Sequence, residues 1–149
     1  YAPEIKLTLI DSLDKRLRFL NTVISEIKID DAETIHARAE EGGRNKNLRD
    51  SFDVCTARAV ANLSVLSEYC LPYVKPGGIF IAYKAKDSDE EILSALNAIN
   101  KLGGKLEEIR EIRLSGEEIL RRLIVIRKEK PTPSAYPRKP GTPAKDPIK

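Results

Sequence analysis

Hydrophobic positions along the chain switch repeatedly between two spacings, and the switch points divide it into elements. Ile5-Lys6-Leu7-Thr8 alternates and then becomes continuously apolar through Leu9 and Ile10, the pattern of a buried strand over residues 5–10 that Asp11-Ser12 ends. Leu13, Leu17, Leu20, Ile24 and Ile27 recur three or four residues apart, which collects them on one face of a helix with Ser12 as a fair N-cap. Residues 33–37 read as a short strand, the polar stretch through Arg49 holds one weak helix, and residues 52–56 form a third strand. After Ala57-Arg58-Ala59, a helix places Val60, Leu63, Leu66 and Cys70 together and stops at Pro72, ahead of the turn Lys75-Pro76-Gly77-Gly78. Residues 79–83 are a fully buried strand. Asp89 can cap the next helix, on which Ile92, Ala95, Leu96, Ile99 and Leu102 share a face, and Gly103-Gly104 supplies its left-handed stop.

Strands alternating with helices imply an α/β fold built on a doubly wound, mostly parallel sheet. The rhythm then changes. Residues 106–114 and 123–126 are strands joined through a loop around Ser115-Gly116 that has no room for a crossover helix, so they pair antiparallel at the end of the sheet. From Pro131 to Pro147 there are six prolines in seventeen residues, which exclude regular structure and predict an extended run over the surface. The chain thus divides into a domain over residues 1–130 and a proline-rich basic tail over 131–149.

Composition narrows the partners. No apolar run is long enough to span a membrane, which points to a soluble, cytoplasmic protein. Cys55 and Cys70 fall in apolar runs without metal-ligand spacing and read as reduced core thiols. The net charge of +3 conceals an asymmetry: between residues 127 and 149, seven basic residues against Glu129 and Asp146 leave +5, so the remainder carries −2. A mildly acidic body with a basic tail suits an anionic partner met at one edge, nucleic acid before membrane.

In open α/β sheets the ligand lies outside the carboxyl ends of the strands. Three groups land there: Asp11 after the first visible strand, Ala39-Glu40 after the second and Arg58 after the third. An acid in Asp11's place serves ribose hydroxyls in such folds, although it serves equally as a helix cap. A nucleotide-type cofactor also calls for a glycine-rich turn after the first strand, and the glycine pairs at Gly42, Gly77 and Gly103 follow the wrong elements. The expectation is that the first strand, its glycine loop and its helix precede Tyr1.

With these landmarks placed, the chain closely resembles the bacterial 16S ribosomal RNA guanine-N7 methyltransferases (glucose-inhibited division protein B). The resemblance rests on Leu9-Ile10-Asp11-Ser12-Leu13-Asp14-Lys15-Arg16, Arg38-Ala39-Glu40-Glu41, Thr56-Ala57-Arg58-Ala59-Val60-Ala61 and Tyr136-Pro137-Arg138-Lys139-Pro140-Gly141-Thr142-Pro143. It implies a class I, Rossmann-like methyltransferase dependent on S-adenosylmethionine (SAM), acting on 16S rRNA of the small ribosomal subunit, with the full-length protein monomeric. Asp11, Ser12 and Leu13 would lie beside the adenosine, Ala39 and Glu40 at the adenine, and Arg58 near the cofactor. Arg38, Arg58, Lys84, Arg138 and Lys139 would form a basic RNA surface. Two departures stand out: the family's glycine-rich motif and helical N-terminus are not in this chain, and Ala85 follows Lys84 where glycine is usual. In the methyltransferase topology that the resemblance implies, the missing strand sits between residues 5–10 and 52–56, so the 149-residue chain would have two sheet halves with open edges, would bind SAM poorly and would be oligomeric or marginally stable.

The residues suit that chemistry. Guanine N7 carries a free lone pair and no proton, so methyl transfer to it needs alignment and no general base, and no catalytic residue or metal is expected. His36, the sole histidine, lies in a strand and reads as structural. Val54 before Cys55 is not the Pro-Cys of a cytosine-C5 enzyme, and Ala57-Arg58-Ala59-Val60 is not the turn of an adenine-N6 enzyme. Tyr136 among prolines reads as a pin for the tail, with the charges left for RNA. An NAD-type Rossmann oxidoreductase, which also uses an acid after its second strand, and a non-catalytic fragment are the alternatives.

Overall fold

The computed structural model describes residues 4–58, 61–113 and 120–149. Along them run β1 (Leu7–Asp11), α1 (Asp14–Glu26), β2 (Ala32–His36), α2 (Ala39–Gly42), β3 (Phe52–Arg58), α3 (Leu63–Cys70), a 3-10 turn (Leu71–Tyr73), β4 (Val74–Ala85), α4 (Asp89–Lys101), β5 (Gly104–Arg113), β6 (Leu120–Lys128) and α5 (Thr142–Lys145). Val60, Ala59 and the loop around Ser115-Gly116 lie outside the described residues.

The sheet is in two parts, β1-β2 and β3-β4-β6-β5. β1 pairs with β2 and β3 with β4 in parallel, and β6 runs antiparallel to both β4 and β5. The division falls between β1-β2 and β3, where the topology implied by the resemblance puts it. Nearly all of the core belongs to the larger part. Leu63, Leu66 and Leu71 from the α3 region, Phe80 and Ala82 from β4, Ile92, Ala95 and Ile99 from α4, and Ile124 and Ile126 from β6 form one cluster. Among the described residues, Leu17 on α1 is the single buried apolar side chain that precedes Leu63.

Two elements depart from expectation. Lys75-Pro76-Gly77-Gly78 is part of β4, which starts at Val74. Phe52 faces Val74 and Val54 faces Ile79, so one β3 residue lies opposite four of β4. The extra residues are taken up as a bulge, which lets a turn-like sequence sit inside a strand. Asp89 is the first residue of α4 and its carboxylate accepts from Arg122 Nη1 at 2.8 Å, so it serves an ion pair and not a cap. The stop after α4 is the expected one: Gly103 has φ 84°, and a Cβ there would collide with the Lys130 carbonyl.

The tail is no loose extended run, which corrects the reading from its prolines. It turns, forms α5 and is nailed down through its carbonyls. Proline removes backbone donors and leaves every acceptor in place. The Arg49 guanidinium donates to the carbonyls of Gly43 (3.0 Å), Tyr136 (2.9 Å), Thr132 (2.5 Å) and Pro133 (3.3 Å). Lys128 Nζ, fully buried, reaches the Leu71 carbonyl (2.5 Å), Thr132 Oγ1 (2.7 Å) and Asp50 Oδ1 (3.2 Å). Burial pushes its pKa below the ordinary lysine value against the pull of Asp50. Tyr136 packs on the core, and Ser64 Oγ donates to the Ile148 carbonyl at 2.6 Å to hold the far end.

Candidate functional site

A cleft of about 400 Å³ opens at the carboxyl ends of β1 and β2. β1 delivers Ile10, Asp11 and Ser12 to it, and the turn after β2 delivers Ala37, Arg38, Ala39 and Glu40. The first side is shaped by Asp11 itself. Its Oδ1 accepts from the Leu13 amide at 2.8 Å and its Oδ2 from Arg16 Nη1 at 3.3 Å. A carboxylate has room for about four hydrogen bonds, so capping the turn leaves acceptor positions for a ligand. Asp11 thus caps the turn and still presents acceptor positions to the cleft.

The second side is a helical turn held from beneath. Tyr73 Oη donates to the Ala39 carbonyl at 2.7 Å, and the Arg38 amide donates to Glu41 Oε2 at 3.3 Å. Gly42 is required because a Cβ there would overlap both the Tyr73 hydroxyl and Ile10. Burial pushes the Tyr73 hydroxyl well above the ordinary tyrosine pKa, and the neighbouring Cys70, Cys55 and Glu40 push in the same direction. Glu40 is 5% exposed, with Oε1 accepting from the Gly141 amide at 2.8 Å.

The structure brings Asp11, Ser12, Arg38, Ala39 and Glu40 to one cleft and leaves the other candidates outside it. Leu13 is exposed beside the mouth and does not line it. Arg58 is exposed at the carboxyl end of β3. Lys84, at the end of β4, is buried: its Nζ donates to the Ala61 carbonyl at 2.7 Å and to Glu91 Oε1 at 2.5 Å, and Glu91 also accepts from the Leu63 amide at the start of α3. Arg138 grips Glu68, itself 1% exposed, with Nε at 3.0 Å from Oε1 and Nη2 at 2.7 Å from Oε2. That hydrogen-bonded carboxylate pushes the guanidinium pKa up. Lys139 is exposed. His36 Nε2 meets the Ser12 carbonyl at 3.1 Å and ties the ends of β1 and β2.

Sequence reasoning missed Tyr69, Gly141 and Ala144, which also line the cleft. A second hollow, of about 370 Å³, lies at the amino-terminal ends of β1 and β2, among Asp30, Asp31 and Glu33, and contains none of the motif residues. Among the described residues there is no cluster of three or more His, Cys, Asp or Glu able to hold a metal, and no helix is long and apolar enough to cross a membrane.

Comparison with known proteins identifies the fold and the family. Several solved structures share the fold at low identity. NSun6 from Pyrococcus horikoshii matches with a TM-score of 0.66 and 13% identity over 86% of this chain and 42% of that one. TYW2 of M. jannaschii, solved in complex with AdoMet, matches with a TM-score of 0.59 and 18% identity over 83% of this chain and 58% of that one. Curated relatives are far closer in sequence. The ribosomal RNA small subunit methyltransferase G of Alkaliphilus metalliredigens is 52% identical over all of this chain, which spans 62% of that protein. Its namesake in Bacillus licheniformis is 51% identical over 98% of this chain and 61% of its own length. The profile of the family described as GidB, rRNA small subunit methyltransferase G, matches residues 1–120. The fold class is that of SAM-dependent methyltransferases, and the chain belongs to the rRNA small subunit methyltransferase G family.

Proposed function

We propose that the cleft between Asp11 and Glu40 binds SAM and that the protein transfers its methyl group to N7 of a guanine in 16S rRNA. One observation carries this reading: residues from two separated motifs, Asp11-Ser12 and Arg38-Ala39-Glu40, converge on one cleft at the carboxyl ends of adjacent parallel strands. The cleft fits such a cofactor in size and chemistry. Its volume lies in the range of small-molecule sites. The spare acceptor positions of Asp11 suit a ribose diol, and Glu40 presents a carboxylate to an amino group.

Bound SAM supplies an electrophilic methyl on a sulfonium leaving group. The protein's part is to hold the adenosine end, to exclude water and to present the guanine in line, because N7 has no proton for a base to remove. Exposed Arg38, Arg58 and Lys139 are the cations available for RNA phosphates. Lys84 and Arg138 are ties within the fold and act on RNA only indirectly. Calorimetric titration of the full-length protein with SAM, followed by its methylation of small-subunit RNA and chemical mapping of N7-methylguanine, tests the reading. No heat of binding and no label at N7 would sink it. Binding of NAD in place of SAM would revive the oxidoreductase alternative.

A further inference from the structure

Two residues of the cleft that were not expected at a cofactor come from the far end of the chain. Gly141 and Ala144 belong to the tail, yet they line the same space as Asp11 and Glu40. Tyr69 completes that side from α3. The link is also electrostatic, since the Gly141 amide is the donor that holds Glu40 Oε1, at 2.8 Å across 101 residues of sequence.

The position of that amide is set three residues earlier. Arg138 gives Glu68 three donors: its own backbone N–H (2.7 Å), Nε (3.0 Å) and Nη2 (2.7 Å). Glu68 is almost wholly buried and faces no other cation among the described residues, so the tail is where its charge is neutralised. From there Thr142 N–H returns to the Lys139 carbonyl at 3.0 Å, and Lys145 N–H to that of Gly141 at 3.2 Å, fixing the turn over the cleft. A tail serving only as a surface brace would need none of this at a ligand cleft.

We propose that residues 141–144 of the tail are a wall of the cofactor pocket, where the Gly141 amide orients Glu40, and that Glu68 and Arg138 are positioning residues for cofactor binding. The inference rests on the reading that SAM binds in this cleft. Its ligand class is the adenosine moiety, whose flat base meets Tyr69 and Ala144 while Glu40 faces its amino edge. A wall that exists only when the tail is docked makes docking and binding mutually dependent. A ligand that touches the docked tail must stabilise it by the same factor by which docking strengthens binding.

The test uses S-adenosylhomocysteine as probe on the full chain, with two readouts. Hydrogen exchange of residues 138–146 is expected to slow on adding the probe. Affinity is expected to fall about tenfold in Glu68→Gln and in Arg138→Ala, with part of it recovered in Arg138→Lys. A purely structural tie would not give ligand-dependent protection of the tail, and that measurement on the unaltered protein decides the matter if a variant fails to fold. Unchanged exchange in 138–146 on a protein that binds the probe would overturn the inference and leave the cofactor reading intact. So would affinity in both variants within about twofold of the unaltered protein. An unaltered protein that gives no heat with the probe overturns both.

Discussion

The β1-α1-β2 unit and the four-stranded body are built from the same kind of α/β segment, yet they are held together in different ways. In the body, α3 and α4 pack on β4 and β6, and Leu63, Phe80, Ala82, Ile124 and Ile126 are wholly buried. In the smaller unit, α1 buries Leu17 alone, while Phe19 on it and Leu13 and Ile27 at its two ends are more than half exposed. Val54, on β3, is also half exposed. Apolar burial is the dominant favourable contribution to stability, so the body is the stable unit and the β1-α1-β2 unit the one that opens first. The candidate cofactor cleft lies on the seam: one side belongs to the weak unit, the other to α3 and the tail of the strong one. A site at such a boundary is easily reshaped by ligand.

The sharpest way to break the contrast is Phe80→Ala, which should cost about 3–5 kcal/mol and lower the urea midpoint for the whole molecule. Leu17→Ala should cost less, about 2–3 kcal/mol, and should speed hydrogen exchange in β1, α1 and β2 while leaving β4 and β6 protected. Equal acceleration in both units would show that they unfold together.

Tyr73 tests the seam itself. Its hydroxyl ionises late in the native state and near the ordinary value of 10.0 once unfolded. The native protein therefore keeps a proton that the unfolded chain releases. The stability linked to this group is complete below pH 10 and is lost as pH rises through the elevated native value. Tyr73→Phe should cost about 1 kcal/mol at neutral pH by removing the donor to the Ala39 carbonyl, and should make the alkaline fall of the thermal midpoint shallower. An alkaline profile identical to that of the unaltered protein would contradict this. Phe19→Ser, at a residue 67% exposed, should change stability by no more than about 0.5 kcal/mol and should improve solubility.

Much of this organisation was legible in the sequence because it rests on periodicity. Alternation marks β1 and β2, three- and four-residue spacing marks α1 and α4, and the missing crossover helix makes β5 and β6 antiparallel. One side of the cleft followed from Asp11 and Glu40 standing after strands. What could not be read were contacts made by charges and carbonyls, which have no period. Lys84 and Arg138 look like free cations until Glu91 and Glu68 are brought to them, the second across 70 residues. A signal existed in Glu68, the one charged residue of the helix Leu63–Cys70, since a buried carboxylate demands a partner. Lys128, closing an apolar strand, was a similar clue. Neither could say that the partner was the tail.

The attachment of that tail through Arg49 has a consequence for ionic strength. The guanidinium holds neutral carbonyl dipoles of Gly43, Thr132, Pro133 and Tyr136, and the adjacent Lys128 ammonium is sealed from solvent. Counterions compete for exposed phosphate-binding cations and hardly at all for such enclosed bonds. On the proposal that RNA phosphates meet Arg38, Arg58 and Lys139, raising the salt concentration should release the polyanion while the strap stays fastened. A product strand could in this way leave the surface with the pocket behind it still assembled.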